Sequence, residues 1–190
     1  MKMGYVLDII IFLPLIVAAL VAGLPAKKEA LLKSIAFAGM ALVFFLSLVL
    51  VANFDSGVRG FQFLHRSMWI RQFDISYFVG IDGMSLLLIL LTTFLTPIAL
   101  VGTWYSVQTR LKEYLVMMLV LETGMLGVFA ALDVFLFYVF WEAMLIPMYF
   151  IIGIWGGGNR VYAAIKFFIY TLFGSIFILL VMIGLYFSAT

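Results

Sequence analysis

Residues 120–150 read VLETGMLGVFAALDVFLFYVFWEAMLIPMYF. Two apolar runs meet at Leu132-Asp133, and each has a single charge inside it: Glu122 alone between Glu113 and Asp133, and Glu142 alone between Asp133 and Arg160. About 20 mostly apolar residues is the length that crosses a bilayer as a helix. The stretch therefore predicts an antiparallel pair of membrane-crossing helices joined by a short turn. Glu122 stands ten residues before Leu132 and Glu142 ten after it. At ~1.5 Å per residue both acids lie roughly 15 Å from the same membrane face, near the midplane.

The rest of the chain supports a membrane reading. Of 190 residues, 67% are hydrophobic and only 11% charged, where a water-soluble surface needs about 25% charged residues. A soluble enzyme is excluded. The net charge of +2 is spread thinly, with no basic stripe, so nucleic acid is excluded as a partner. With no cysteine and one histidine there is no disulfide frame, thiolate nucleophile, iron-sulfur ligation or zinc site. Redox chemistry would have to sit on another chain.

Six spans are expected, near residues 5–24, 31–52, 80–104, 114–132, 134–154 and 161–187, in a single all-α polytopic transmembrane bundle covering 1–190. The first is too long for a signal-peptide core and carries Asp8 and Pro14, so it reads as a retained helix. Pro14, Pro97 and Pro147 lie inside spans, where neighbouring helices satisfy the carbonyls they free. The connections at 25–33, 105–113 and 155–160 hold Lys27, Lys28, Lys33, Arg110, Lys112 and Arg160, against Lys2, Arg59, Arg66 and Arg71 on the other side. The first side is the expected cytoplasmic one, and the N-terminus then faces out. The loop 53–79 mixes arginine with Phe61, Phe63, Trp69 and Phe73, and reads as an interfacial hairpin or amphipathic segment. His65 lies in it with no chemistry assigned. Gly156-Gly157-Gly158-Asn159 lacks the Lys-Ser/Thr of a phosphate cradle and reads as a helix end and turn.

An ionisable side chain at mid-bilayer costs about 2.5–3.5 kcal/mol on insertion scales, so one kept there lines a cavity or has a partner. Glu122 and Glu142 are the two that qualify. A carboxyl away from water favours its neutral form and a nearby cation favours the charged one, so a moving lysine could toggle such an acid between holding and releasing a proton. Lys166 is the cation nearest to this role, six residues beyond Arg160 and roughly 9 Å in from that membrane face; snorkelling to the headgroups is its alternative. For the two glutamates the alternative is a bond to a neighbouring hydroxyl or helix end. Asp133 opens the fifth span and suits an N-cap, with a proton-exit role as the second reading, and Asp82 is expected to cap the third. Pro147 frees the carbonyl of Ala143 beside Glu142, giving a water molecule an acceptor there.

Four segments now carry a family resemblance: VGIDGMSLLLILLTTFLTPIAL (79–100), VLETGMLGVFAALDVF (120–135), FYVFWEAMLIPMYF (137–150) and NRVYAAIKFFIYTLFGS (159–175). In order and spacing they resemble the antiporter-like subunits of bacterial proton-pumping NADH-quinone oxidoreductase, respiratory complex I. The FYVFWE and GIDGMS wording is similar to the chain M branch of that family. The resemblance covers nearly the whole chain.

It implies a multi-pass subunit of the bacterial inner membrane, its N-terminus on the periplasmic side, that moves protons, driven by quinone reduction elsewhere in the complex. No cofactor is expected on this chain: NADH, FMN, iron-sulfur clusters and quinone would sit on other subunits, and the partners would be neighbouring antiporter-like chains of the membrane arm. In that family the glutamate of the fifth helix is a key proton-channel residue, and Glu142 matches it; Glu122, Asp133 and Lys166 also fall on motif positions. Family members have about fourteen helices in two inverted repeats, whereas this sequence ends with the sixth. The lysines of the seventh and eighth helices are absent, so a complete proton path is not expected from these 190 residues alone. Other readings are a subunit of a multi-chain cation/proton antiporter or membrane-bound hydrogenase, and a structural membrane subunit with no proton traffic.

Overall fold

The computed structural model describes residues 4–189. Six helices follow one another as α1 (Gly4–Gly23), α2 (Glu29–Asn53), α3 (Gly83–Gly102), α4 (Leu111–Ala130), α5 (Val134–Trp155) and α6 (Arg160–Ala189). All six are long and apolar enough to cross a membrane. Between α2 and α3 lies an antiparallel hairpin, β1 (Gln62–Ile70) and β2 (Ile75–Ile81), turned by a single 3-10 turn at 71–73. Lys2, counted above for the sidedness of the chain, lies outside the described residues.

The third helix begins at Gly83, three residues after the expected start of its span. The apolar run Val79–Ile81 is used as the end of β2, and Asp82 then caps the helix: its Oδ1 accepts from the Ser85 amide at 2.8 Å. That bond holds the Asp82 carboxyl below the usual carboxylate range. The two periodicities abut without a linker, which is why an apolar count runs them together.

Helix α4 is the hub. It packs on α1, α2, α3 and α5, while α6 packs on α5. More than half of α4 is buried and almost none of α6, which separates an interior helix from one whose outer side faces outward. Lipid tails are as apolar as leucine, so helix association rests on close approach and on polar contacts rather than on water exclusion. Close approach is visible where α4 meets α5. A Cβ on Gly127 would overlap the Phe140 ring, and one on Gly124 would stand 2.8 Å from Met144 Cβ.

The hairpin is tied to the bundle on more than one side. On one side Phe78 O accepts from the Leu132 amide at 2.8 Å, and Val79 bridges to Ala131, so the α4–α5 turn extends the small sheet. Asp133 completes that knot. Its Oδ1 accepts from the Phe135 and Leu136 amides at 2.9 and 3.1 Å as the N-cap of α5, and its Oδ2 from the Ser76 amide and hydroxyl at 3.0 and 3.3 Å. Losing a cap and the Ser76 contacts together, Asp133→Ala should destabilise the folded chain by about 2 kcal/mol. Thermal unfolding in detergent checks it: a midpoint unchanged from the parent protein would count against this role.

On the opposite membrane face the lysines close helix ends. Lys112 donates to Leu24 O at 2.9 Å just beyond α1, and Lys33 to Trp104 O at 2.6 Å just beyond α3. Cations belong at these ends, where unpaired carbonyls leave partial negative charge. The Gly156–Asn159 run is the turn between α5 and α6, with Gly156 N–H returning to Ile152 O at 3.0 Å.

Candidate functional site

Glu122 and Glu142 come from consecutive helices but turn to different neighbours. Glu122 is fully buried at 0% exposure, and its Oε1 accepts from the Thr96 hydroxyl of α3 at 2.8 Å. Its other oxygen, Oε2, is buried with no hydrogen-bond partner. The hydroxyl bond weighed above as the alternative for this acid is therefore present, but it satisfies only half of the carboxyl.

Glu142 is half-buried on α5, and its Oε1 is likewise buried and unpartnered. Tyr138, one turn earlier, engages both the Glu142 carboxyl and the buried Ser175 on α6. Pro147 lies within α5, so the Ala143 carbonyl beside Glu142 lacks its helical donor. The Tyr138 phenol thus links α5 to α6 beside a carboxyl with one open oxygen. Unsatisfied carboxyl oxygens are rare inside proteins and usually signal a proton, an ion or internal water.

The other two candidates fall elsewhere. Lys166 lies on the exposed side of α6, with its ammonium 5.8 Å from the Tyr162 ring. Among the described residues no ion pair joins it to an acid, and it is not brought to Glu142. Asp133 is taken up by the cap and the Ser76 contacts.

Two polar groups were not legible in advance. The first joins α1 to the hairpin: Asp8 Oδ1 accepts from the Tyr77 hydroxyl at 2.7 Å, and Asp8 Oδ2 lies 2.6 Å from His65 Nδ1, an ion pair whenever the imidazole carries its second proton. Burial, then the hydrogen bond to Asp8 and its negative charge, push the Tyr77 phenol far above its ordinary range. The folded protein thus holds this proton more tightly than the unfolded chain, so the contribution of the contact is full below pH ~10 and declines as pH rises beyond that. Tyrosine ultraviolet titration should show the same absorbance step between pH 10 and 11 in Tyr77→Phe as in the parent; a smaller step in the variant would contradict the assignment. The second group is a line of hydroxyls, Ser47 on α2 with Thr93 and Thr96 on α3, all buried. The available signal was the wording TTFLTP before and at Pro97.

The bundle has the fold of antiporter-like membrane subunits. It matches a chain of the membrane-bound sulfane sulfur reductase, an archaeal respiratory membrane complex, with a TM-score of 0.79 at 21% identity, covering 97% of this chain and 28% of that one. It also matches a chain of the Mrp complex from Dietzia sp. DQ12-45-1b, with a TM-score of 0.74 at 15% identity over 91% of this chain and 18% of the other. At such identities the likeness is one of fold. Sequence narrows it further. Residues 131–190 match the family described as NADH:quinone oxidoreductase/Mrp antiporter, transmembrane. NADH-quinone oxidoreductase subunit M of Rhodobacter capsulatus is 47% identical over 98% of this chain, and that of Rickettsia conorii 41% identical over 95%. NADH-ubiquinone oxidoreductase chain 4 of Chondrus crispus is 43% identical over 92%. Over nearly its whole length the chain is similar to subunit M, and it spans 37% of the length of the Rhodobacter capsulatus protein.

Proposed function

We propose that these residues form part of a proton-translocating membrane subunit of NADH-quinone oxidoreductase, and that Glu142 carries the proton at mid-membrane. The supporting observation is the Glu142 carboxyl on α5, one oxygen of which is buried with no partner, while the Tyr138 phenol engages both this carboxyl and Ser175 of α6. Such a setting lets an acid exchange a proton through a few ordered waters, and a glutamate placed there is retained against an insertion cost of about 2.5–3.5 kcal/mol. Electron transfer belongs to other subunits, with NADH, FMN, iron-sulfur clusters and quinone held there. This chain contributes a site that a conformational change elsewhere can load and unload. The membrane is the bacterial inner membrane, with the hairpin and the start of α1 on the periplasmic side and the lysine-clipped helix ends on the cytoplasmic side. Neighbouring membrane-arm chains cover the outward side of α6, where Lys166 meets a partner or the headgroups.

The test is Glu142→Gln in the full-length subunit within its assembled complex, read as protons moved per NADH oxidised. The likeness to a chain of an Mrp complex favours a second reading, a subunit of a multi-chain cation/proton antiporter with the same mid-membrane acid. Cation-driven proton exchange without quinone in membranes holding the complex would favour that reading.

A further inference from the structure

We propose that Ser47, Thr93, Thr96 and Glu122 form a proton relay running from α2 through α3 to α4, with one internal water held in the turn between Thr93 and Thr96. The inference rests on the proton-carrying reading above and adds to it a second point at which a proton is held.

In a helix away from water, serine and threonine hydroxyls ordinarily bond back to a carbonyl one turn earlier. Thr92 does so to Leu88 O at 2.8 Å, Thr123 to Leu119 O at 3.3 Å and Thr171 to Phe167 O at 2.7 Å. Thr96 instead donates across helices to Glu122 Oε1 at 2.8 Å. One turn away, Ser47 Oγ and Thr93 Oγ1 share a hydrogen bond of 2.9 Å in which either can donate. Each also has a carbonyl to turn to, Phe44 O at 2.7 Å for Ser47 and Leu90 O at 3.1 Å for Thr93. The pair can therefore reverse its polarity with its heavy atoms in place, which is what a relay element must do.

Proline supplies the place for the water. Pro97 has no N–H, so the carbonyl of Thr93, four residues earlier, lacks its helical donor. Side chains three residues apart on a helix stand about 5–6 Å apart at Cβ, too far for a direct hydroxyl bond and suited to one bridging water. That water meets the Thr93 carbonyl and the hydroxyls of Thr93 and Thr96, about the number of partners an internal water takes. Beyond Thr96, Glu122 Oε2 is buried and open.

The transfer balances. Starting from the carboxylate, the Thr96 O–H bond breaks as Oε1–H forms, Thr96 takes a proton from the water, the water takes one from Thr93, and Thr93 takes one from Ser47. Ser47 is restored by a proton from a hydronium arriving at its end of the line, which leaves as water, so each hydroxyl ends with one proton and the carboxyl has gained one.

The experiment is infrared spectroscopy of the full-length subunit in its membrane complex, with the Glu122 carboxyl band assigned by its loss in Glu122→Gln. Thr96→Val should move the band to higher frequency and slow its exchange in deuterated water by about tenfold, the loss of one hydrogen bond. Thr96→Ser should leave both as in the parent, and Thr93→Val should slow exchange without moving the band. An unmoved band in Thr96→Val, or parent exchange rates in both valine variants, overturns the relay. Glu142→Gln leaves the Glu122 band and its exchange untouched, so failure of the relay and failure of the Glu142 reading are told apart.

Discussion

Replacing Glu142 by glutamine in the full-length subunit is expected to lower proton translocation by more than tenfold while the complex assembles at its normal level. Glutamine has nearly the shape of glutamate and can still meet Tyr138, which also engages Ser175, so packing between α5 and α6 is kept. What it lacks is a proton to hold and release. A proton crossing the full membrane field exchanges about 2.3 kcal/mol per 100 mV, and a factor of ten corresponds to about 1.4 kcal/mol. A site on the main route therefore cannot be lost without a large fall in flux. Glu142→Asp keeps the acid on a shorter stem and should fall between the two. Vesicle acidification measured against NADH oxidation decides the matter. A parent ratio of protons to electrons in a normally assembled Glu142→Gln complex would leave the chain as a structural membrane piece.

The second large effect is steric. Gly127→Leu should strongly reduce the amount of folded subunit, because even the first carbon of the new side chain meets the Phe140 ring of α5. Overpacking a dense interior costs about 1–3 kcal/mol for ordinary insertions, and here the backbones of the hub helix and its neighbour must separate. The separation would also disturb Gly124 against Met144, two residues from Glu122 and from Glu142 respectively. Gly127→Ala is the graded test, and shrinking the opposing ring by Phe140→Leu should restore part of the lost stability. The four corners of that cycle, read as unfolding midpoints in detergent, should show a coupling well above experimental error. Additive effects would mean that the two residues do not oppose one another.

Much of this protein was legible from residue order alone because a bilayer imposes a one-dimensional rule. Every backbone group must be satisfied within its own helix, so length and apolar content locate the crossing segments. The same rule singles out Glu122 and Glu142, whose charges interrupt runs that should have none. Asp82 and Asp133 were readable as caps because a cap is a local matter, decided by an acceptor just ahead of a helix. The start of the third helix was not, since Val79–Ile81 are as apolar as the span they precede and only their pairing in β2 distinguishes them.

What residue order left open was rotation about each helix axis. A helix repeats every 3.6 residues whichever way it is turned, and an all-round apolar surface offers no stripe to orient it. Only the packing of the helices on one another decided that Glu122 meets Thr96 on α3, that Tyr138 engages both Glu142 and Ser175, and that Lys166 stands on the outer side of α6. Contacts between distant segments, such as Asp8 with His65 and Tyr77, have no local signature at all. The sequence by itself determined how many helices are long and apolar enough to cross a membrane and which acids lie within them. Which partner each acid meets was decided by the tertiary structure, because a side chain's neighbours depend on how whole helices fit together rather than on the residues beside it in the chain.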